Sequence, residues 1–147
     1  MPGCQGRGRA RLPYLDWMDG ELVPAEPSYQ VAWPYRPAQA ASYLADRQAF
    51  GGALLDEPTI RFSLADMATA LETSRTLLWR AATALDSDHP DKVELCAMAK
   101  RYVTDACFDV ADQALQLHGG YGYLTEYGLE KIVRDLRVHR ILEGTNE

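Results

Sequence analysis

An all-α helix bundle is the expected fold of this chain. Three stretches carry apolar residues at helical steps: Ile60 to Leu85, Cys96 to Leu117, and Leu129 to Leu136. Helix breakers fall between them, at His89-Pro90 and at Gly119-Gly120-Tyr121-Gly122. At 147 residues the chain is one domain by size, and 47% hydrophobic with 24% charged residues is ordinary for a globular protein.

The bulk numbers exclude several functions. A net charge of -6 offers no broad basic surface for phosphates, so no nucleic-acid partner is expected. No apolar run approaches a membrane span. Arg7, Arg9 and Arg11 are not followed by an apolar core, so a secretory signal is not supported. Of the three cysteines, Cys96 and Cys107 lie on one expected helix, eleven positions apart. That is about 16 Å along the axis, too far for a disulfide. An odd count without a framework points to a reducing, cytoplasmic setting. No Cys/His grouping has zinc spacing, and no metal site is expected.

Residues 1–37 hold six of the eight prolines and sustain no period. They read as an irregular extension. Trp17, Trp33, Tyr14, Tyr29 and Tyr35 leave open that its aromatics dock on the helices behind.

Residues 38–50 are rich in helix formers, and Gly51-Gly52 should end that helix. Pro58 suits the first turn of the next, with Asp56 and Glu57 at its positive end. Ile60, Leu64, Met67, Leu71, Leu78 and Leu85 form one stripe over about seven turns. Asp66, Glu72, Arg75 and Arg80 lie off the stripe and read as a solvated face. His89 reads as an exposed loop residue. Asp91 can cap a further helix, with Glu94 completing a capping box. That helix shows a small-sided face, Cys96, Ala99, Val103, Ala106, Val110, Ala114 and Leu117. On it the two cysteines read as small buried hydrophobes. His118 reads as a satisfied helix-end histidine.

The last thirty residues carry the chemistry. Gly119, Gly120 and Gly122 suit positive φ or close approach of another group. Leu129, Ile132, Val133 and Leu136 mark a short charged helix. Glu143 then sits between Ile141-Leu142 and Gly144 in a tight turn. A carboxylate buried among apolar groups has a raised pKa, as a general base near neutral pH requires.

These motifs resemble the acyl-CoA dehydrogenase family. The matching pieces are Arg47-x-x-Phe50-Gly51, Phe62 to Met67, Gln116-x-x-Gly119-Gly120-x-Gly122, Arg134-Asp135 and Glu143-Gly144-Thr145, in the family's order. Their flavour is nearest the isobutyryl-CoA and short branched-chain branch. The resemblance covers residues 38–147 and implies a C-terminal domain truncated at both ends, an incomplete up-and-down four-helix bundle. It leaves residues 1–37 as an extension unrelated to the family.

The implied function is flavin-dependent α,β-dehydrogenation of an acyl-CoA thioester. Glu143 matches the family's base, whose backbone N–H bonds the thioester oxygen. The implied cofactor is FAD. Arg47, Phe50, Gln116, Gly119 and Gly120 match the FAD-contacting motifs, with Arg47, Gln116 and Gly120 at positions that meet a neighbouring subunit's cofactor. Thr145 and Glu147 match positions that line the same subunit's cofactor. A homo-oligomer (a tetramer in the family) follows, with electron-transfer flavoprotein as electron acceptor. Two departures stand out: Ala49 replaces a common hydroxyl residue, and Asp56-Glu57-Pro58 replaces a common glutamine. The rival expectation is a non-catalytic helical fragment or interaction module that oligomerises without retaining flavin.

Overall fold

The computed structural model describes residues 37–147. Expectations for residues 1–36 lie outside the described residues. Helix α1 spans Pro37–Asp46. A short antiparallel hairpin follows, β1 (Gln48–Ala49) and β2 (Gly52–Ala53), with Gln48 opposite Ala53. A 3-10 turn at Leu54–Asp56 leads into α2, Pro58–Asp86. Helix α3 is Lys92–His118, and α4 is Leu129–His139. Two 3-10 turns, Gly119–Tyr123 and Thr125–Tyr127, join them.

The fold is all-α, as expected, and one boundary is corrected. The helix expected over 38–50 stops at Asp46. Phe50 (φ 53) and Gly51 (φ 91) both take left-handed backbone. Two such residues make the tight turn whose twist suits a two-residue hairpin loop. Gly51 adopts this without penalty; Phe50 does so against steric preference.

Helices α2 and α3 pack antiparallel. One core cluster joins Ala81 and Ala84, near the end of α2, to Leu95 and Ala99, near the start of α3. The other joins Met67 of α2 to Val110 and Ala114 of α3 and Leu129 of α4. Alanines at the first cluster let the helices approach closely. Leu44 and Leu129 have no exposed surface and pin α1 and α4 to the pair. Burying such a leucine contributes about 1.5–3 kcal/mol.

The α2–α3 turn is a Schellman closure. Asp88 is left-handed (φ 55), and the His89 N–H donates to the Ala84 carbonyl at 2.8 Å. Asp88 also pairs with Lys92. His89 is exposed, as expected. The expected capping box is not formed. Asp91 occupies the N-cap position with φ -91 and ψ 11 and makes no side-chain cap bond. Its conformation is not the extended one that aims a side-chain oxygen back at the helix. Pro58 does stand in the first turn of α2, and Arg61 ties that turn back to Asp56 at 3.0 Å.

Of the charges expected on the solvated face, Asp66, Glu72 and Arg80 are exposed and Arg75 is partly buried against Glu72. Cys96 and Cys107 are free and partly buried rather than fully buried. Burial pushes the Cys107 thiol up to about 11. No described helix is long and apolar enough to cross a membrane. Among the described residues no group of His, Cys, Asp and Glu side chains could hold a metal ion.

Candidate functional site

The family-matching residues gather in two places along α3. The first is at its C-terminal end. Tyr43 of α1 stacks on His118, with ring centroids 4.1 Å apart and planes 16° from parallel. Its hydroxyl donates to the His118 carbonyl at 3.3 Å. Tyr121 and Tyr127 meet the Tyr43 ring edge-on. Desolvation raises the Tyr43 phenol pKa, with Arg47 opposing, so the hydroxyl keeps its proton. His118 is buried, and its Nδ1 lies 2.8 Å from the Ala114 carbonyl, the satisfied helix-end role expected of it.

This cluster fixes the glycine turn beside Arg47. The Arg47 guanidinium lies 5.5 Å from the centre of the Tyr121 ring, within cation–π range. The three glycines differ in what they do. Gly119 takes φ 59 and ends α3. Gly122 is a close approach: a Cβ there would meet the Leu115 carbonyl oxygen at 2.7 Å. Gly120 has no positive φ, and a Cβ added there would find nothing within 4 Å. Its missing Cβ leaves open surface. Gln116, on the last turn of α3, and Phe50, three residues after Arg47, are both exposed; Phe50 presents 91% of its surface.

The second place is the turn after α4, laid against the middle of α3. Arg140 ion-pairs with Asp105 at 2.7 Å and lies over the Phe108 ring. The Asn146 N–H donates to the Arg140 carbonyl at 3.2 Å and closes the turn. Glu143 is left-handed (φ 56), and Gly144 follows at φ 98. Burial of the Glu143 carboxylate, expected from its apolar neighbours, is not found. Glu143 is exposed, and so are Ile141 and Leu142, which point away from any core. Thr145 and Glu147 are exposed as well. His139 stands close enough to feel Glu143. Burial lowers its pKa, Glu143 and Asp135 work against that, and Lys100 adds to it.

Sequence reasoning missed the residues that hold the second turn. The Asn146 amide donates to Thr104 Oγ1 at 2.9 Å and to Asp105 Oδ1 at 3.0 Å. Its oxygen accepts from Lys100 Nζ at 2.7 Å, and Lys100 also donates to the Gly144 carbonyl. Lys100 and Asn146 are 46 positions apart, and no local pattern links them. From Lys100 to Gln116 the helix runs sixteen residues, about 24 Å along its axis, so the two places are well separated.

The antiparallel helical pair and the motifs it carries match the C-terminal domain of a flavoprotein dehydrogenase. A family model described as acyl-CoA dehydrogenase, C-terminal domain, matches residues 37–147. The chain belongs to the acyl-CoA dehydrogenase family, whose members are FAD-dependent flavoproteins. It is 51% identical over 108 residues to the mitochondrial isobutyryl-CoA dehydrogenase of Bos taurus, covering 74% of this chain and 26% of that one. It is 40% identical over 109 residues to the caffeyl-CoA reductase-Etf complex subunit CarC of Acetobacterium woodii, covering 74% of this chain and 28% of that one. The structure of butyryl-CoA dehydrogenase from Megasphaera elsdenii superposes with a TM-score of 0.72 at 36% identity, over 81% of this chain and 31% of that one. The chain thus spans about a quarter of the length of the curated relatives it matches.

Proposed function

We propose that this chain supplies the base-bearing, flavin-contacting C-terminal part of an FAD-dependent acyl-CoA dehydrogenase. The observation that carries the reading is the separation of the motif residues into two sites on α3. Arg47, Gln116, Gly119 and Gly120 belong to one end, while Glu143, Thr145 and Glu147 follow α4 and lie against its middle. One domain with two such sites suits a family in which it meets two cofactors, its own and a neighbour's, and therefore a homo-oligomer.

The residues present fit FAD. At the first site an exposed guanidinium, an open glycine and exposed aromatic rings converge. A guanidinium fork suits pyrophosphate oxygens, and a glycine without a Cβ admits close approach of a ligand. Phe50, held outward by its left-handed turn, adds an apolar face. At the second site Thr145 and Glu147 are open to the same subunit's cofactor.

Glu143 removes the α proton of the acyl thioester. Its exposure leaves the carboxylate free to meet substrate. Among the described residues its backbone N–H has no hydrogen-bond partner, so it can donate to the thioester oxygen. That bond stabilises the negative charge developing on the oxygen as the α proton leaves. FAD, when bound, accepts the β hydrogen as hydride.

Short branched acyl-CoA is the favoured substrate class, by likeness to the isobutyryl-CoA dehydrogenase. Electron-transfer flavoprotein is the favoured acceptor, supported by the relative named as part of an Etf complex. Residues 1–37 are read as an irregular extension unrelated to the family, whose match begins at residue 37. The cysteine pattern favours a reducing compartment, the cytoplasm in a cell without organelles; the relatives called mitochondrial favour that organelle where one exists.

A second reading is an interaction module without turnover. An open groove of about 770 Å³ between α2 and α3, lined by Met67, Ala70, Leu77, Met98 and Tyr102 among others, favours it. The deciding measurement is the absorbance spectrum of the purified chain after incubation with FAD and removal of the excess. Retained stoichiometric flavin, bleached by short branched acyl-CoA in the wild type and not in Glu143→Gln, supports the dehydrogenase. No retained flavin supports the module.

A further inference from the structure

Glu143 holds a backbone conformation that an L-residue avoids. Left-handed backbone outside glycine is disfavoured because Cβ crowds the following carbonyl oxygen, and it persists only where the surroundings over-determine it. The turn is exposed from Ile141 to Thr145 and has no core of its own. Its shortest ties to the rest of the fold come from Lys100, Thr104 and Asp105 on one stretch of α3, with the Arg101 carbonyl 3.5 Å from the Asn146 amide nitrogen. Three of these ties converge on Asn146: the Thr104 hydroxyl, the Asp105 carboxylate and the Lys100 ammonium. A fourth runs from Lys100 to the carbonyl of Gly144, the residue after the base. The Asn146 N–H closes the loop onto Arg140, which Asp105 anchors in turn.

The chemistry fits asparagine alone among similar side chains. The amide group donates twice, to a hydroxyl and a carboxylate, while its oxygen faces an ammonium. An aspartate would face Asp105 with like charge and have no donors. An alanine would leave Lys100 a single partner in the turn.

We infer that Asn146, gripped by Lys100, Thr104 and Asp105, is a positioning residue for Glu143. It locks the left-handed turn that carries the exposed carboxylate. The inference rests on the reading of Glu143 as the base.

The test uses the full chain in NMR and needs no flavin or acyl-CoA. In the wild type, backbone couplings that report φ should show Glu143 left-handed, and the Asn146 amide should be protected by Arg140. In Asn146→Ala the left-handed signature at residue 143 should be lost, and the amide at 146 should exchange at least tenfold faster. The thermal midpoint and the protection of α2 and α3 should be unchanged, which separates positioning from general stability. Asn146→Asp should behave as Asn146→Ala does. Lys100→Met, cutting both lysine ties from α3, should loosen the same turn and gives the answer should Asn146→Ala not fold. A left-handed, protected turn that persists in the variants would overturn the inference, as would a right-handed Glu143 in the wild type. Loss of flavin retention would count against the proposed enzyme and leave these results intact.

Discussion

Tyr43 stacks on His118 at 4.1 Å and donates its hydroxyl to the carbonyl of the same residue. Seventy-five positions separate the two in the chain. This one contact joins α1 to the end of α3, and the turn after α1 carries Arg47 with it. Tyr43→Ala should destabilise the domain by about 2 kcal/mol through lost aromatic packing. Tyr43→Phe keeps the stack and should cost about 0.5–1 kcal/mol for the hydrogen bond. Urea unfolding of the two variants measures both, and equal losses would mean the stack contributes nothing.

Gly122 and Gly120 should respond oppositely to alanine. The new methyl at 122 meets a backbone carbonyl that cannot swing aside. Gly122→Ala should therefore cost about 1–3 kcal/mol by overpacking. Gly120→Ala meets nothing, and its stability should stay within about 0.5 kcal/mol of wild type. Flavin retention should nonetheless weaken in Gly120→Ala. Thermal melts with and without FAD separate the two effects.

His139 should make stability depend on pH near neutrality. Burial lowers its folded pKa below the ordinary 6.5. The unfolded chain therefore binds the proton more readily, and stability rises with pH while the unfolded state holds more protons. The contribution is present above 6.5 and is lost as pH falls from there through the folded pKa. His139→Gln should flatten that part of the curve, read as the difference between the two proteins' midpoints across pH 5 to 8.

Cys107 should resist alkylation. With its thiol at about 11, roughly one molecule in a thousand is thiolate at pH 8, about two orders of magnitude below an ordinary cysteine. Mass mapping after iodoacetamide treatment of the folded chain should find Cys107 largely unmodified, with labelling restored in denaturant. Rapid labelling of Cys107 in the folded chain would refute the burial argument.

The helices were readable in the sequence because their signals are local. The stripe from Ile60 to Leu85 and the face from Cys96 to Leu117 needed only a period, and Pro58 and Gly119 marked two ends. The hairpin at Gln48–Ala53 was not readable, since the alanine-rich run before it has helix-forming composition. Gly51-Gly52 marked a break but not a hairpin, and phenylalanine at position 50 is an unusual occupant of left-handed backbone. At the candidate site the residue types were legible through their motifs. Their support was not: Lys100 with Asn146 and Tyr43 with His118 are tertiary pairs that no spacing rule connects. The exposure of Glu143 is not legible in the sequence for a related reason. Apolar neighbours along the chain imply burial only where a facing element covers them.

The uninterrupted length of α3 has a mechanical consequence. The helix acts as a fixed-pitch shaft between the turn at its middle and the turn at its end. One residue inserted between Lys100 and Gln116 would lengthen it by only about 1.5 Å but rotate one end against the other by about 100°. Arg47 and Glu143 would then face wrong directions while every helix survived. The angular phase of the two ends, more than their distance, is what this stretch of sequence encodes.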